Sequence, residues 1–121
     1  MDWTSVLIFA AIVALFFLSN RVGLISAAAA KEQLKRGALI VDVRTPAEFN
    51  KGHLKHAINV PFDDIELLVP QRVTDKGQVL LLHCQSGLRS GVARKKLAAL
   101  GYTQTFNLGS YRRAERITDD E

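Results

Sequence analysis

The chain has 121 residues, 48% of them hydrophobic, with a formal net charge of +4 and a single cysteine. That length holds one domain, and the lone cysteine excludes an internal disulfide. The charge suits a small anionic substrate or a negatively charged membrane face, and no basic run interleaved with aromatics, helix-turn-helix or zinc-finger spacing points to nucleic acid.

The N-terminal stretch from Trp3 to Asn20 carries no charge and includes an unbroken apolar run, Val6 to Leu18. Eighteen residues at about 1.5 Å each span roughly 27 Å, close to a hydrocarbon core of about 30 Å. The stretch predicts a membrane anchor over residues 1–24, with Trp3 in the interfacial belt and Arg21 snorkelling to the headgroups. Arg21, Lys31, Lys35 and Arg36 all follow the segment and nothing basic precedes it, so the positive-inside rule places the remainder in the cytoplasm. The alternative is a cleaved signal peptide and export, favoured by Ser26-Ala27-Ala28 but opposed by Asp2 in the n-region.

Beyond the anchor, Ser26 caps a helix from Ala27 to Arg36 that ends at Gly37. Leu39-Ile40-Val41 reads as a buried strand ending in Asp42-Val43-Arg44. Thr45-Pro46-Ala47-Glu48 is a helix start with a capping box. Ala57 to Val60 is a short strand stopped by Pro61, and Asp63 to Val69 is a helical turn or two closed by Pro70. Val79-Leu80-Leu81-Leu82 reads as a buried parallel strand. Ser90 to Leu100 forms a helix with Ala93, Leu97 and Leu100 on one face, and Gly101 ends it. A last strand falls within Thr103 to Leu108, and a charged tail follows from Arg112. Strands alternating with short helices predict an α/β domain, an open parallel sheet with helices on both faces.

The cysteine falls in His83-Cys84-Gln85-Ser86-Gly87-Leu88-Arg89-Ser90, between the central strand and a helix start. A lone cysteine is most often a small buried hydrophobe. This one sits at the carboxyl end of a strand, where open α/β sheets place ligands. Loop N–H groups and the helix dipole converge there on one spot and stabilise a thiolate. Arg89 adds a positive charge at the far end of the loop. His83, adjacent on the strand, points to the opposite face and reads as structural. Asp42 and Arg44 read as a supporting scaffold. One cysteine and scattered histidines, with His53 and His56 three apart, make no tetrahedral metal set.

Taken in order, Asp42-Val43-Arg44, Pro46-Ala47-Glu48-Phe49, Gly52-His53-Leu54, Ala57-Ile58-Asn59-Val60-Pro61 and His83 to Ser90 resemble the motif series of a single rhodanese domain. The resemblance covers roughly Ile25 to Arg116. It implies a rhodanese-like domain over residues 25–116, with residues 117–121 as a charged tail. It also implies a sulfurtransferase whose cysteine takes a sulfane sulfur from a donor such as thiosulfate and passes it to cyanide or a thiol. By the resemblance the nucleophile is Cys84, and the loop that cradles the persulfide is Gln85, Ser86, Gly87, Leu88, Arg89 and Ser90. The family often carries glycine where His56 stands, and often ends in two glycines and a tryptophan where this chain has Gly109-Ser110-Tyr111.

No cofactor is implied. The expected partners are a small anionic sulfur donor, a thiol or cyanide acceptor, the membrane through the N-terminal helix, and an unspecified protein partner. Phosphatases and arsenate reductases of the same fold place five residues between cysteine and arginine. Here four separate Cys84 from Arg89, a narrower loop that suits one sulfur atom. A tethered sulfur carrier or binding module is the other alternative.

Overall fold

The computed structural model describes residues 2–21 and 23–119, with side chains over 2–16 and 23–119. Four strands, β1 (Leu39–Asp42), β2 (Ile58–Asn59), β3 (Leu80–Cys84) and β4 (Thr105–Ser110), form one sheet in the order β2-β1-β3-β4. Every pairing is parallel. The helices are α1 (Trp3–Arg21), α2 (Ala27–Lys35), α3 (Pro46–Lys51), α4 (Ile65–Arg72), α5 (Leu88–Ala99) and α6 (Tyr111–Thr118).

The apolar run of β3 is explained by its place: it is flanked by β1 and β4, and all five of its residues are buried. Its side chains alternate between two cores, as the pleat requires. Leu80, Leu82 and Cys84 pack with Val41, Ile65, Val69, Ala93 and Leu97 beneath α4 and α5. Leu81 faces the other way, with Ile40, Ala30, Leu108, Ala114 and Ile117 beneath α2 and α6. Each such leucine, fully buried, contributes roughly 1.5–3 kcal/mol. Helices therefore cover both faces, and the parallel strands bring the ends of β1, β3 and β4 to one edge.

Capping follows the local chemistry. The Ser26 hydroxyl accepts the Ala29 N–H at the start of α2. At α3 the Thr45 hydroxyl accepts the Glu48 N–H at 3.2 Å, while Glu48 accepts the Thr45 N–H at 3.1 Å. His56 holds a φ of 69°, a left-handed conformation that glycine adopts at lower cost.

Two expectations need correction. Pro70 does not close its helix: a 3₁₀ turn at Phe62–Asp64 leads into α4, which carries Pro70 inside it and runs on to Arg72. A proline there removes a single i→i−4 bond, and the fully buried Val69 still anchors the turn, its carbonyl accepting the Val73 N–H at 2.7 Å. The larger correction concerns the membrane. Among the described residues no helix is long and apolar enough to cross a bilayer. This overturns the transmembrane span over residues 1–24, and with it the single-pass placement and the membrane as a partner. Leu18, Arg21 and Val22, which entered that expectation, lie outside the described side chains, as do the last two residues of the expected tail.

Candidate active site

β3 ends at Cys84 and α5 begins at Leu88, so only Gln85, Ser86 and Gly87 connect them. The connection closes because Gly87 takes a φ of 96°. A Cβ there would lie 3.4–3.5 Å from the backbone of Gly109 and Ser110. In this turn the Gly87 N–H points back at the sulfur, donating to Cys84 Sγ at 2.9 Å. The Ser90 hydroxyl, in the first turn of α5, lies 3.5 Å from the same sulfur. Burial pushes the Cys84 thiol up, but the Ser90 side chain and the backbone N–H groups of Ser90, Gly87 and Ser86 outweigh it, and the net shift is downward. Sγ is covered in this geometry, with Cys84 fully buried.

Gly87→Ala strains the left-handed turn, a cost of about 1–2 kcal/mol, and turns the N–H away from Sγ. The expected result is a lower midpoint of denaturation together with a Cys84 alkylation profile displaced to higher pH. Unchanged alkylation in a destabilised variant would separate the turn from the thiol.

The other loop residues divide their work. Ser86 lies exposed, its hydroxyl 3.5 Å from the Leu88 N–H. Leu88 is 67% exposed and lines a hollow of about 190 Å³ with Phe16 of α1 and Val92. Gln85 turns from the sulfur toward β1, where its side-chain oxygen lies 3.5 Å from Arg44 Nη1. Arg89 does not stand free over the loop. Its guanidinium meets Glu48 of α3 in a two-pronged pair, Nη1 to Oε1 at 2.9 Å and Nη2 to Oε2 at 3.1 Å. The Arg89 hydrogen bond is the largest of the effects that hold the Glu48 carboxyl down to about 2, with burial opposing it. A depressed carboxyl keeps the pair intact above that value and releases it as pH falls through it. The Cys84 thiolate also contributes, more weakly than Glu48, to holding Arg89 charged.

Asp42 and Arg44 form a buried hub at the end of β1. Asp42 accepts the Arg44 backbone N–H at 2.9 Å, and Arg44 Nη2 at 2.7 Å. Arg44 Nη2 also donates to the Gly52 carbonyl at 2.8 Å, and its guanidinium lies 4.5 Å over the Tyr111 ring. The hub thus ties together β1, the segment after α3, the Gln85 side chain and α6. Tyr111 stands where the family the sequence resembles often carries a tryptophan, and Ser110 before it caps α6 by accepting the Arg113 N–H. Asn59, which the sequence did not single out, donates to the carbonyls of Asp42 and Arg44 at 3.0 and 2.9 Å.

His83 lies on the face opposite Cys84, fully buried, with Nε2 3.6 Å from Asp42 Oδ2 and Nδ1 3.3 Å from the Cys84 carbonyl. Desolvation, aided by Arg44, holds it below the usual imidazole range against the pull of Asp42. It is therefore neutral and positioned away from the sulfur. Among the described residues no cluster of three His, Cys, Asp or Glu side chains could hold a metal ion.

Comparison with known proteins places this arrangement. The rhodanese-like domain family matches residues 26–113. A thiosulfate sulfurtransferase, PspE of Escherichia coli K12, is 33% identical over 69 residues, covering 57% of this chain and 66% of that protein. The chain thus spans just under two thirds, or less, of the curated relatives it matches first. Among solved structures, a rhodanese with anions from E. coli superposes with a TM-score of 0.61 at 30% identity, covering 64% of this chain and 91% of that one. The human single-domain sulfurtransferase TSTD1 superposes with a TM-score of 0.66 at 25% identity, covering 78% of this chain and 96% of that one.

Proposed function

Because this chain belongs to the rhodanese-like domain family, we propose that it works as a sulfurtransferase, with Cys84 carrying the sulfur between a thiosulfate-type donor and a cyanide or thiol acceptor. The observation that carries the reading is the sulfur of Cys84 receiving the Gly87 N–H at 2.9 Å from a loop that opens a helix. A thiolate so held needs no general base, in keeping with a neutral His83 turned to the other face.

In the first step the Cys84 thiolate attacks the outer sulfur of thiosulfate. A new S–S bond forms, the sulfur–sulfur bond of thiosulfate breaks, and sulfite leaves with the electron pair. Cys84 is left as a persulfide with its charge on the outer sulfur, which preorganised N–H donors of a loop stabilise. In the second step the acceptor attacks that outer sulfur, and the Cys84 thiolate departs. No proton or outside oxidant enters either step. The name of the E. coli relative, a thiosulfate sulfurtransferase, supports the donor class, and the test is thiocyanate formation by the purified full chain from thiosulfate and cyanide. Activity indistinguishable from free cysteine would sink the proposal.

Arg89 is the charged side chain of the loop, and Glu48 holds it in place. Arg89→Ala is expected to weaken thiosulfate use by removing one charge-assisted hydrogen bond, about 1.5–3 kcal/mol or roughly 10- to 150-fold in kcat/KM. A change below about twofold would make the arginine a clamp for α3 alone.

A further inference from the structure

Asn107 of β4 is buried on the face of the sheet that carries Cys84, and both ends of its side chain are engaged. Its Nδ2 donates to the Gly87 carbonyl at 3.2 Å. Its Oδ1 accepts the Gly109 N–H at 2.9 Å and the Ser90 hydroxyl at 2.7 Å. The Gly109 N–H and the Gly87 carbonyl fix which end of the amide is oxygen. The backbone of Asn107 is also held, its N–H by the Gly23 carbonyl and its carbonyl by the Ile25 N–H.

The Ser90 hydroxyl has one proton and three acceptors in reach: Asn107 Oδ1 at 2.7 Å, the Gly87 carbonyl at 3.2 Å and Cys84 Sγ at 3.5 Å. The first distance is that of a short, well-formed O–H···O bond, whereas sulfur, at an ordinary distance for its size, is the weaker acceptor. The support that Ser90 could lend the sulfur is therefore contested by Asn107. We propose that Asn107 is a positioning residue for sulfur transfer, drawing the Ser90 hydroxyl proton away from Cys84 Sγ. This rests on the sulfurtransferase reading, and it gives the contest a purpose. A donor on Sγ stabilises the thiolate, whose charge is there, and not the persulfide, whose charge has moved to the outer sulfur. Withholding it favours the loaded state, and it leaves the thiolate a stronger nucleophile, since nucleophilicity falls as thiol pKa falls.

Among the described residues Arg89 of α5 is a charged group that acts on Cys84, itself paired with Glu48 of α3. His83 of β3 faces away and is neutral, and β4 presents the uncharged Asn107.

The test is the pH profile of Cys84 alkylation by iodoacetamide in the full chain, a readout independent of sulfur transfer. Asn107→Ala frees the hydroxyl for the thiolate, and the apparent thiol pKa is expected to fall by about one unit. Ser90→Ala alone removes only the residual 3.5 Å contact at the sulfur and is expected to raise it by well under one unit, and Asn107→Ala with Ser90→Ala is expected to match Ser90→Ala alone. A merely structural Asn107 gives the opposite sign, because a loosened loop supports the thiolate less. A rise or no change in Asn107→Ala overturns the proposal. So does a rise of about one unit in Ser90→Ala, which would put the proton on sulfur and which decides the matter if Asn107→Ala does not fold. Loss of thiocyanate formation in the wild type with these alkylation shifts intact would count against the sulfurtransferase reading and not against Asn107.

Discussion

Cys84→Ser is expected to lower thiosulfate-dependent sulfur transfer by more than about a thousandfold while leaving the fold in place. The magnitude follows from chemistry. Cys84 is the chain's one thiol, and a serine oxygen neither ionises near neutral pH nor forms a persulfide, so no second route replaces the covalent step. The fold should survive because the change is nearly isosteric and the Gly87 N–H that meets the sulfur at 2.9 Å finds an oxygen acceptor instead. Thermal denaturation of the variant checks the second half of the expectation and thiocyanate formation the first. Retained transfer in a folded variant would remove Cys84 from the mechanism.

Asp42→Ala is expected to be the most destabilising single change near the site. Asp42 is fully buried and Arg44 nearly so, and their closest contact is 2.7 Å. Deleting the carboxylate strands a guanidinium in the interior, which typically costs about 3–5 kcal/mol. For a domain of this size that corresponds to a fall in Tm of at least about 12 °C. The Gly52 carbonyl and the Tyr111 ring remain against Arg44, but neither carries a countercharge. Adding Arg44→Met should recover part of the loss, since removing both charges is far less damaging than removing one. A single variant that melts within about 5 °C of wild type would show that the pair does not hold this edge of the sheet together.

The parts of the fold legible in the sequence were those that local chemistry decides. Thr45 and Glu48 sit three apart and cap α3 by their own geometry. Leu80 to Leu82 announce a strand buried on both faces. Gly87 between a cysteine and a helix start announces the turn. The missing parts are contacts between distant positions. The Glu48–Arg89 pair spans 41 residues, and the Ser90–Asn107 bond spans 17. Glu48 reads as a cap residue in the sequence, and its carboxylate serves both tasks. One signal was present: Arg89 lies at the positive end of α5, where a cation is unfavourable without a carboxylate opposite it. Nothing in the spacing marked Asn107, because its task depends on β4 lying beside β3. The N-terminal segment misled for a related reason. Composition alone described an anchor, whereas among the described residues no helix is long and apolar enough to cross a membrane.

The central claim is that sulfur rides on Cys84. The measurement that tests it most directly is the intact mass of the purified full chain after incubation with thiosulfate and removal of excess donor, followed by addition of cyanide. The account predicts a gain of about 32 Da, one sulfur atom held as a persulfide, located on Cys84 by fragmentation, absent from Cys84→Ser, and discharged by cyanide with release of thiocyanate. An unchanged mass while thiocyanate is still formed, or an adduct that survives cyanide, would contradict it.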